Sequence, residues 1–276
     1  MTGYPKTNSH QNTGAQQSYF GALAIQRRVI GALMIREALG RFGHENLGFF
    51  WIVGEPMLMT SGVMLMWSLT GIEKGHEGIG LIPFALSGYS LLTLWRHISG
   101  KSVHALRHGA ALLFHRNIRL LDVLIARAAL ESIGGLTAFF ITYVVFNLLG
   151  YIDTLEDPLL VISAWLLLTW FSFGFSLIIA GITEIVEPLG HFVPPLLYLT
   201  LPITGAFYMV NWLPESVQDL LWWSPLVQFF EMFRAGMFGS HVPTEWSVPY
   251  LVIWGLLLTS VGLPLVEKAQ KHVKLH

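Results

Sequence analysis

The sequence predicts an all-helical integral membrane protein, and three observations carry that prediction. Gly78 to Trp95 and Pro158 to Thr183 contain no charged side chain. At about 1.5 Å rise per residue, each stretch is long enough to cross a hydrocarbon core of roughly 30 Å. Hydrophobic residues make up 53% of the chain and charged residues only 12%, about half the charged share of a soluble domain, so water is a poor solvent for most of its surface. Lys and Arg are also distributed very unevenly among the polar segments between the apolar ones, the pattern that sets membrane orientation.

Residues 1–18 are rich in Asn, Gln, Ser, Thr and Gly and lack the basic-then-apolar pattern of a signal peptide. They are read as a disordered cytosolic tail. Residues 19–46 follow as a cytosolic interfacial helix and turn. Within Tyr19 to Phe42, apolar residues alternate irregularly with Arg27, Arg28, Arg36, Glu37 and Arg41. That charge forbids a span and predicts a helix lying at the membrane surface, with its arginines at headgroup level.

Six spans are expected from Leu47 onward, at about 47–70, 79–99, 123–150, 158–182, 190–211 and 247–266, with a cytosolic tail at 267–276. An even number places both termini on one side. If that side is the cytosol, 14 of the 16 Lys and Arg lie inside, leaving Lys74 and Arg234 outside, as the positive-inside rule requires. The outer connection from Asn211 to Trp246 is long yet apolar, with runs at Val217 to Trp223 and Pro225 to Phe238. Both runs are too short to cross, so they predict two short re-entrant helices over about 216–238. Ser224 is expected as the N-cap of the second, with Pro225 at its first helical position.

Apparent chemical motifs fail on spacing. Gly100-Lys101-Ser102 has Trp95 where a phosphate-binding loop needs glycine. His104 and His108 stand one turn apart without the Glu of metalloproteases. No nucleophile, base and orienting acid converge, and no metal site is expected. With no cysteine in the chain, disulfides, thiolate metal sites and thiol catalysis are excluded.

Several groups of residues nevertheless resemble a known family. Ile35-Arg36-Glu37, Arg41-Phe42-Gly43, Asn46-Leu47-Gly48-Phe49-Phe50-Trp51 and Glu55-Pro56 are similar to the signature leading into the first span of permease subunits of type-2 ABC exporters. His115-Arg116-Asn117-Ile118-Arg119-Leu120-Leu121-Asp122-Val123 falls where these permeases carry a coupling helix between spans two and three. Glu184-Ile185-Val186-Glu187-Pro188 lies on the expected inner loop between spans four and five. The chain resembles the KpsM-like capsular polysaccharide exporters more than the drug or lipopolysaccharide O-chain branches.

The resemblance implies a non-catalytic permease subunit in the bacterial inner membrane, moving lipid-linked, acidic capsular polysaccharide from cytosol to periplasm. It implies a homodimer joined by two copies of an ABC ATPase. No cofactor is expected in this chain, because ATP and Mg are bound by the partner ATPase. A periplasmic envelope-spanning export protein is a further expected partner, and nucleic acid is not. The coupling helix is placed at about 112–122, with Arg116, Asn117, Ile118, Arg119 and Asp122 docking on the ATPase through charge-assisted hydrogen bonds, and with Arg36 and Glu37 assigned to the same coupling contact. The alternative is a solvated basic loop, against which stand the apolar Ile118, Leu120 and Leu121.

Arg41, His44, Gly48 and Glu55 are placed where a lipid-linked substrate enters, Arg41 and His44 facing its phosphate. Ordinary headgroup anchoring, and for Glu55 an ion pair to Arg36 or Arg41 or exposure near the interface, are the alternatives. Trp165, Trp170, Tyr208, Trp222 and Trp223 are assigned to a glycan conduit, against interfacial anchoring or helix packing. Competing functions are an exporter of another cargo (O-chain, teichoic acid or a drug), an intramembrane enzyme using Glu55, Glu131 or the histidines, and a secondary transporter.

Overall fold

The computed structural model describes residues 19–42, 79–103, 105 and 119–273, with positions 57, 58, 61, 62, 65 and 66 between them. The predicted tail 1–18, most of the first span, the turn at 43–48 and most of the coupling segment lie outside the described residues. Eight α-helices and no strand occur among the described residues: α1 (Tyr19–Phe42), α2 (Leu81–Gly100), α3 (Leu120–Leu148), α4 (Pro158–Ile185), α5 (Val193–Leu199), α6 (Glu215–Leu221), α7 (Pro225–Phe238) and α8 (Val248–Val273).

Three of these helices, α3, α4 and α8, are long and apolar enough to cross a membrane. α2 occupies the predicted second span. α4 is the central helix. Asp157 caps its start, accepting a hydrogen bond from the Leu160 N–H at 2.9 Å, and Pro158 stands at the first position, where its missing N–H costs nothing. Around α4 pack α8 along most of its length, α7, α2 and α3. Trp95, Phe139, Trp165, Phe171, Phe229, Phe230 and Phe233 fill the core between them. The opposite faces of the outer helices carry exposed Ile133, Ile141 and Val144 on α3 and Ile253, Leu257 and Val261 on α8. Such faces are unfavourable in water and at home in lipid.

Lipid gives apolar side chains no reason to leave it, so helix association there depends on close packing and small residues. α4 and α8 achieve it with glycines one heptad apart on each helix. A Cβ on Gly174 would lie 2.9 Å from the Leu258 Cβ, one on Gly181 2.7 Å from the Leu265 Cβ, and one on Gly262 2.5 Å from the Leu177 Cβ. A Cβ on Gly255 would lie 3.0 Å from the Trp170 ring, and the Trp170 indole donates to the Thr259 hydroxyl at 3.1 Å.

The predicted fifth span, 190–211, is not one helix. A 3-10 turn at Glu187–His191 leads to the seven-residue α5, then to short 3-10 turns at Leu201–Ile203 and Val210–Trp212. Proline is the cause: Pro202 has no N–H to continue α5, and Gly205 adopts φ +80°. Apolarity over 190–211 outweighed this punctuation in the sequence reading. Two short helices do form where they are expected over about 216–238, as α6 and α7. Ser224 holds the N-cap position of α7 with Pro225 following, yet its hydroxyl donates to the Ile203 carbonyl at 2.9 Å and makes no cap bond.

Substituting Gly262→Val should force α4 and α8 apart and destabilise the fold by about 1–3 kcal/mol, the usual cost of overpacking. Thermal denaturation of the detergent-solubilised protein, followed by size-exclusion, checks this; an unchanged midpoint would mean that the heptad contact does not set the helix spacing.

Candidate functional site

Two regions gather the predicted functional residues: the joint between α1 and α3 at the predicted cytosolic end, and the aromatic interior. At the joint, α1 offers Val29, Ile30, Leu33 and Met34 to Val123 and Ala126 of α3. Gln26 and Glu37 extend this stripe by one turn at each end. Gln26 donates to the Asp122 carboxylate at 3.0 Å, and Glu37 approaches the Arg127 guanidinium at 3.4 Å. The i, i+3, i+4, i+7 spacing of 26, 29, 30, 33, 34 and 37 is a helix-packing stripe, legible in the sequence but obscured there by Ile25, Ile35 and Leu39, which remain exposed on the other face beside Arg28 and Arg36.

The ion-pair network continues inward from Arg127. Its guanidinium donates to the Lys101 carbonyl at 3.3 Å, and the Lys101 ammonium donates to the Glu131 carboxylate at 2.6 Å. His97 Nδ1 lies 3.3 Å from the other carboxylate oxygen. Glu131 is thus the anion shared by two residues at the end of α2. Because the Lys101 side chain is 42% exposed, solvent screening keeps this pair modest in energy. Its geometry ties α2 to α3.

Of the residues assigned to ATPase coupling, Arg116, Asn117 and Ile118 lie outside the described residues. Arg119 is exposed at the N-cap of α3, and Arg36 is exposed on α1. Asp122 is a correction. It is buried, its carboxylate accepts the Arg119 backbone N–H at 3.1 Å as well as the Gln26 amide, and it therefore holds the start of α3 rather than facing a partner. Glu37 likewise faces Arg127 within the chain. Of the residues assigned to substrate access, Arg41 lies in the last turn of α1, while His44, Gly48 and Glu55 lie outside the described residues.

The conduit assignment fails for the two tryptophans in the spans. Trp165 is fully buried, its indole donates to the Ser132 carbonyl and hydroxyl at 3.2 and 3.1 Å, and it packs against Phe139 and Phe233. Gly135 leaves room for this ring, since a Cβ there would meet it at 3.0 Å. Trp170 is an α4–α8 packing residue, as described above. Tyr208 is half-buried and donates its hydroxyl to the Pro202 carbonyl at 2.8 Å, bridging the broken fifth segment. Trp222 and Trp223 are exposed, at 39% and 74%.

One residue was missed altogether. Arg234 on α7 counted in the sequence only as a basic residue on the outer side, yet it is completely buried. A charge placed against the positive-inside trend, amid Phe229, Phe230 and Phe233, was the available signal.

Trp165→Ala should cost about 3–5 kcal/mol through the cavity it opens and lower the amount of folded protein, whereas Trp223→Ala should leave abundance unchanged; quantifying both in isolated membranes checks the distinction between core and surface. Asp122→Ala should destabilise by about 1 kcal/mol, a typical loss for a helix cap, and Asp122→Asn by less. Thermal unfolding of the two variants, compared with the parent, decides.

The chain matches the family model described as ABC-2 type transporter over residues 28–238. It is 39% identical over 257 residues, covering 93% of this chain and 97% of the relative, to the capsule polysaccharide export inner-membrane protein CtrC of Neisseria meningitidis serogroup B. It is 36% identical over 261 residues, 95% of this chain and 98% of the relative, to the capsule polysaccharide export inner-membrane protein BexB of Haemophilus influenzae. Similarity also extends, at 25% over 249 residues, 90% of this chain and 95% of the relative, to the polysialic acid transport protein KpsM of Escherichia coli. With an end-to-end match to such relatives and a family match over more than half its length, this helical chain belongs to the ABC-2 type transporter membrane family.

Proposed function

We propose that this protein is the permease subunit of an ATP-driven exporter that moves lipid-linked, acidic capsular polysaccharide across the bacterial inner membrane from cytosol to periplasm. The observation that carries the reading is its 39% identity along 97% of a capsule polysaccharide export protein. The chain acts without catalysis of its own, as a homodimer with two ATPase subunits that bind ATP and Mg. It crosses the membrane six times with both termini cytosolic, and hands the glycan to an envelope-spanning protein in the periplasm.

The described residues suggest how force enters. Arg119 is exposed one turn before the buried Asp122, so a push on the 112–119 segment is delivered directly to the start of α3. From there Gln26 and Glu37 carry it to α1, and Lys101 and Glu131 carry it to α2. Arg116, Asn117, Ile118 and Arg119 remain the proposed contact with the ATPase. Arg41, His44, Gly48 and Glu55 remain the proposed access site for the lipid-linked substrate, and Trp222 and Trp223 the aromatic faces at the outlet.

Deleting the protein should abolish surface polysaccharide, and a tagged copy should copurify with an ATPase. Arg116→Ala combined with Arg119→Ala should preserve insertion and hydrolysis while reducing export at least about tenfold, the effect of losing roughly 1.4 kcal/mol of coupling. Parental export in that double variant would remove these arginines from the docking surface.

A further inference from the structure

The two short outer helices differ sharply in how they are held. α7 is buried at every position from Leu226 to Arg234. α6 is exposed over most of its length, with Leu220 at 71%. The difference centres on Arg234. Its guanidinium donates to the carbonyls of Gly205 at 2.7 Å, Tyr208 at 2.6 Å and Ala206 at 2.9 Å, and its Nε donates to the Ser87 hydroxyl at 3.3 Å. The same group lies 4.2 Å above the Phe84 ring. Three chain segments therefore meet on one side chain: the broken fifth segment, α2 and α7.

Two glycines make that meeting possible. Gly205 turns the chain at φ +80° against Val227 of α7. Gly88 of α2 lets the Ala206 carbonyl approach to 2.2 Å of where a Cβ would stand. One turn before Arg234, the Glu231 carboxylate accepts the Val210 N–H at 3.2 Å, a second tie from α7 to the same segment. A non-helical stretch at membrane depth needs donors for its free carbonyls. Arginine presents five N–H groups in a planar fork, which lysine, a compact point charge, cannot reproduce.

We propose that Arg234 is a positioning residue that joins α7, the turn at 205–208 and α2 into one rigid body, so that opening at the outer end is carried by α6 alone. The outlet role rests on the exporter reading above; the clamp does not. The chain has no cysteine, so a single thiol reports on each helix. In membranes exposed to an impermeant maleimide on the outer side, with ATP hydrolysis measured in the same preparation, Val227→Cys should label at least about tenfold more slowly than Leu220→Cys, both at rest and during turnover. Labelling of Leu220→Cys should change when ATP is turned over. Adding Arg234→Lys, or Gly88→Ala as a wedge from α2, should raise Val227→Cys labelling by about tenfold or more. Should Arg234→Lys be lost from the membrane, Gly88→Ala decides alone. The proposal is overturned if Val227→Cys becomes reactive during turnover with Arg234 intact, if it stays protected in the clamp variants, or if Leu220→Cys is indifferent to turnover while hydrolysis proceeds. Absence of hydrolysis would instead count against the exporter reading, and the resting comparison would still test the clamp.

Discussion

Every buried backbone carbonyl needs a donor, and the stretch after α5 is where this chain cannot provide one from its own helix. Pro202 ends the helical ladder and Gly205 turns away from it, leaving the carbonyls of Gly205, Ala206 and Tyr208 between the two 3-10 turns and outside any helix. The repair comes from a distant side chain, since only a long, multiply donating group reaches three carbonyls at once. Burying an arginine in an aromatic shell is costly unless its donors are satisfied. Removing it would leave a set of buried acceptors unpaired, each costing about 1–3 kcal/mol. The broken segment and the buried charge thus satisfy each other, carbonyl by N–H.

The same economy of approach shapes the rest of the bundle. Where helices run regularly, their backbones satisfy themselves and can be brought close by removing side chains, as at Gly174, Gly181, Gly255 and Gly262. Polar side chains also cross between these regular helices, as Ser132 does for the Trp165 indole and Asp122 for Gln26. α4 lies at the middle of both arrangements, which explains why its interior tryptophans serve packing. Aromatic rings that fill the space around a central helix are unavailable to a passing polymer.

Run length and charge made most of the helices legible in the sequence. α2, α3, α4 and α8 coincide with predicted spans, α1 with the predicted basic helix, and α6 and α7 with the two apolar runs divided at Ser224-Pro225. What was not legible depended on three-dimensional partners. Asp122 is acidic within a basic segment, and nothing local shows that Gln26, nearly a hundred residues earlier, will meet it. Trp165 and Trp223 are the same residue in similarly apolar surroundings, yet one is enclosed and the other open. Arg234 takes its meaning from carbonyls that become free only because proline and glycine interrupt a segment whose composition reads as a span. The glycines at 174, 181, 255 and 262 take their meaning from the pairing of α4 with α8, which no local pattern announces.

At the start of α3, Arg119 and Asp122 stand one turn apart and face different environments: the arginine outward, the carboxylate toward α1. A force applied to the exposed side is therefore borne by a helix end that is already bonded to its neighbour, and the joint cannot yield without breaking buried contacts from Leu33 to Ala126. The described interior, filled around α4 by large aromatics, directs any wide passage to the faces that the helices turn away from their own core. Those faces expose Ile133, Ile141 and Val144 on α3 and Ile253, Leu257 and Val261 on α8, side chains suited to lipid or to a second copy of the chain. The homodimer proposed above would place a second copy against faces of this kind, with lipid covering the remainder.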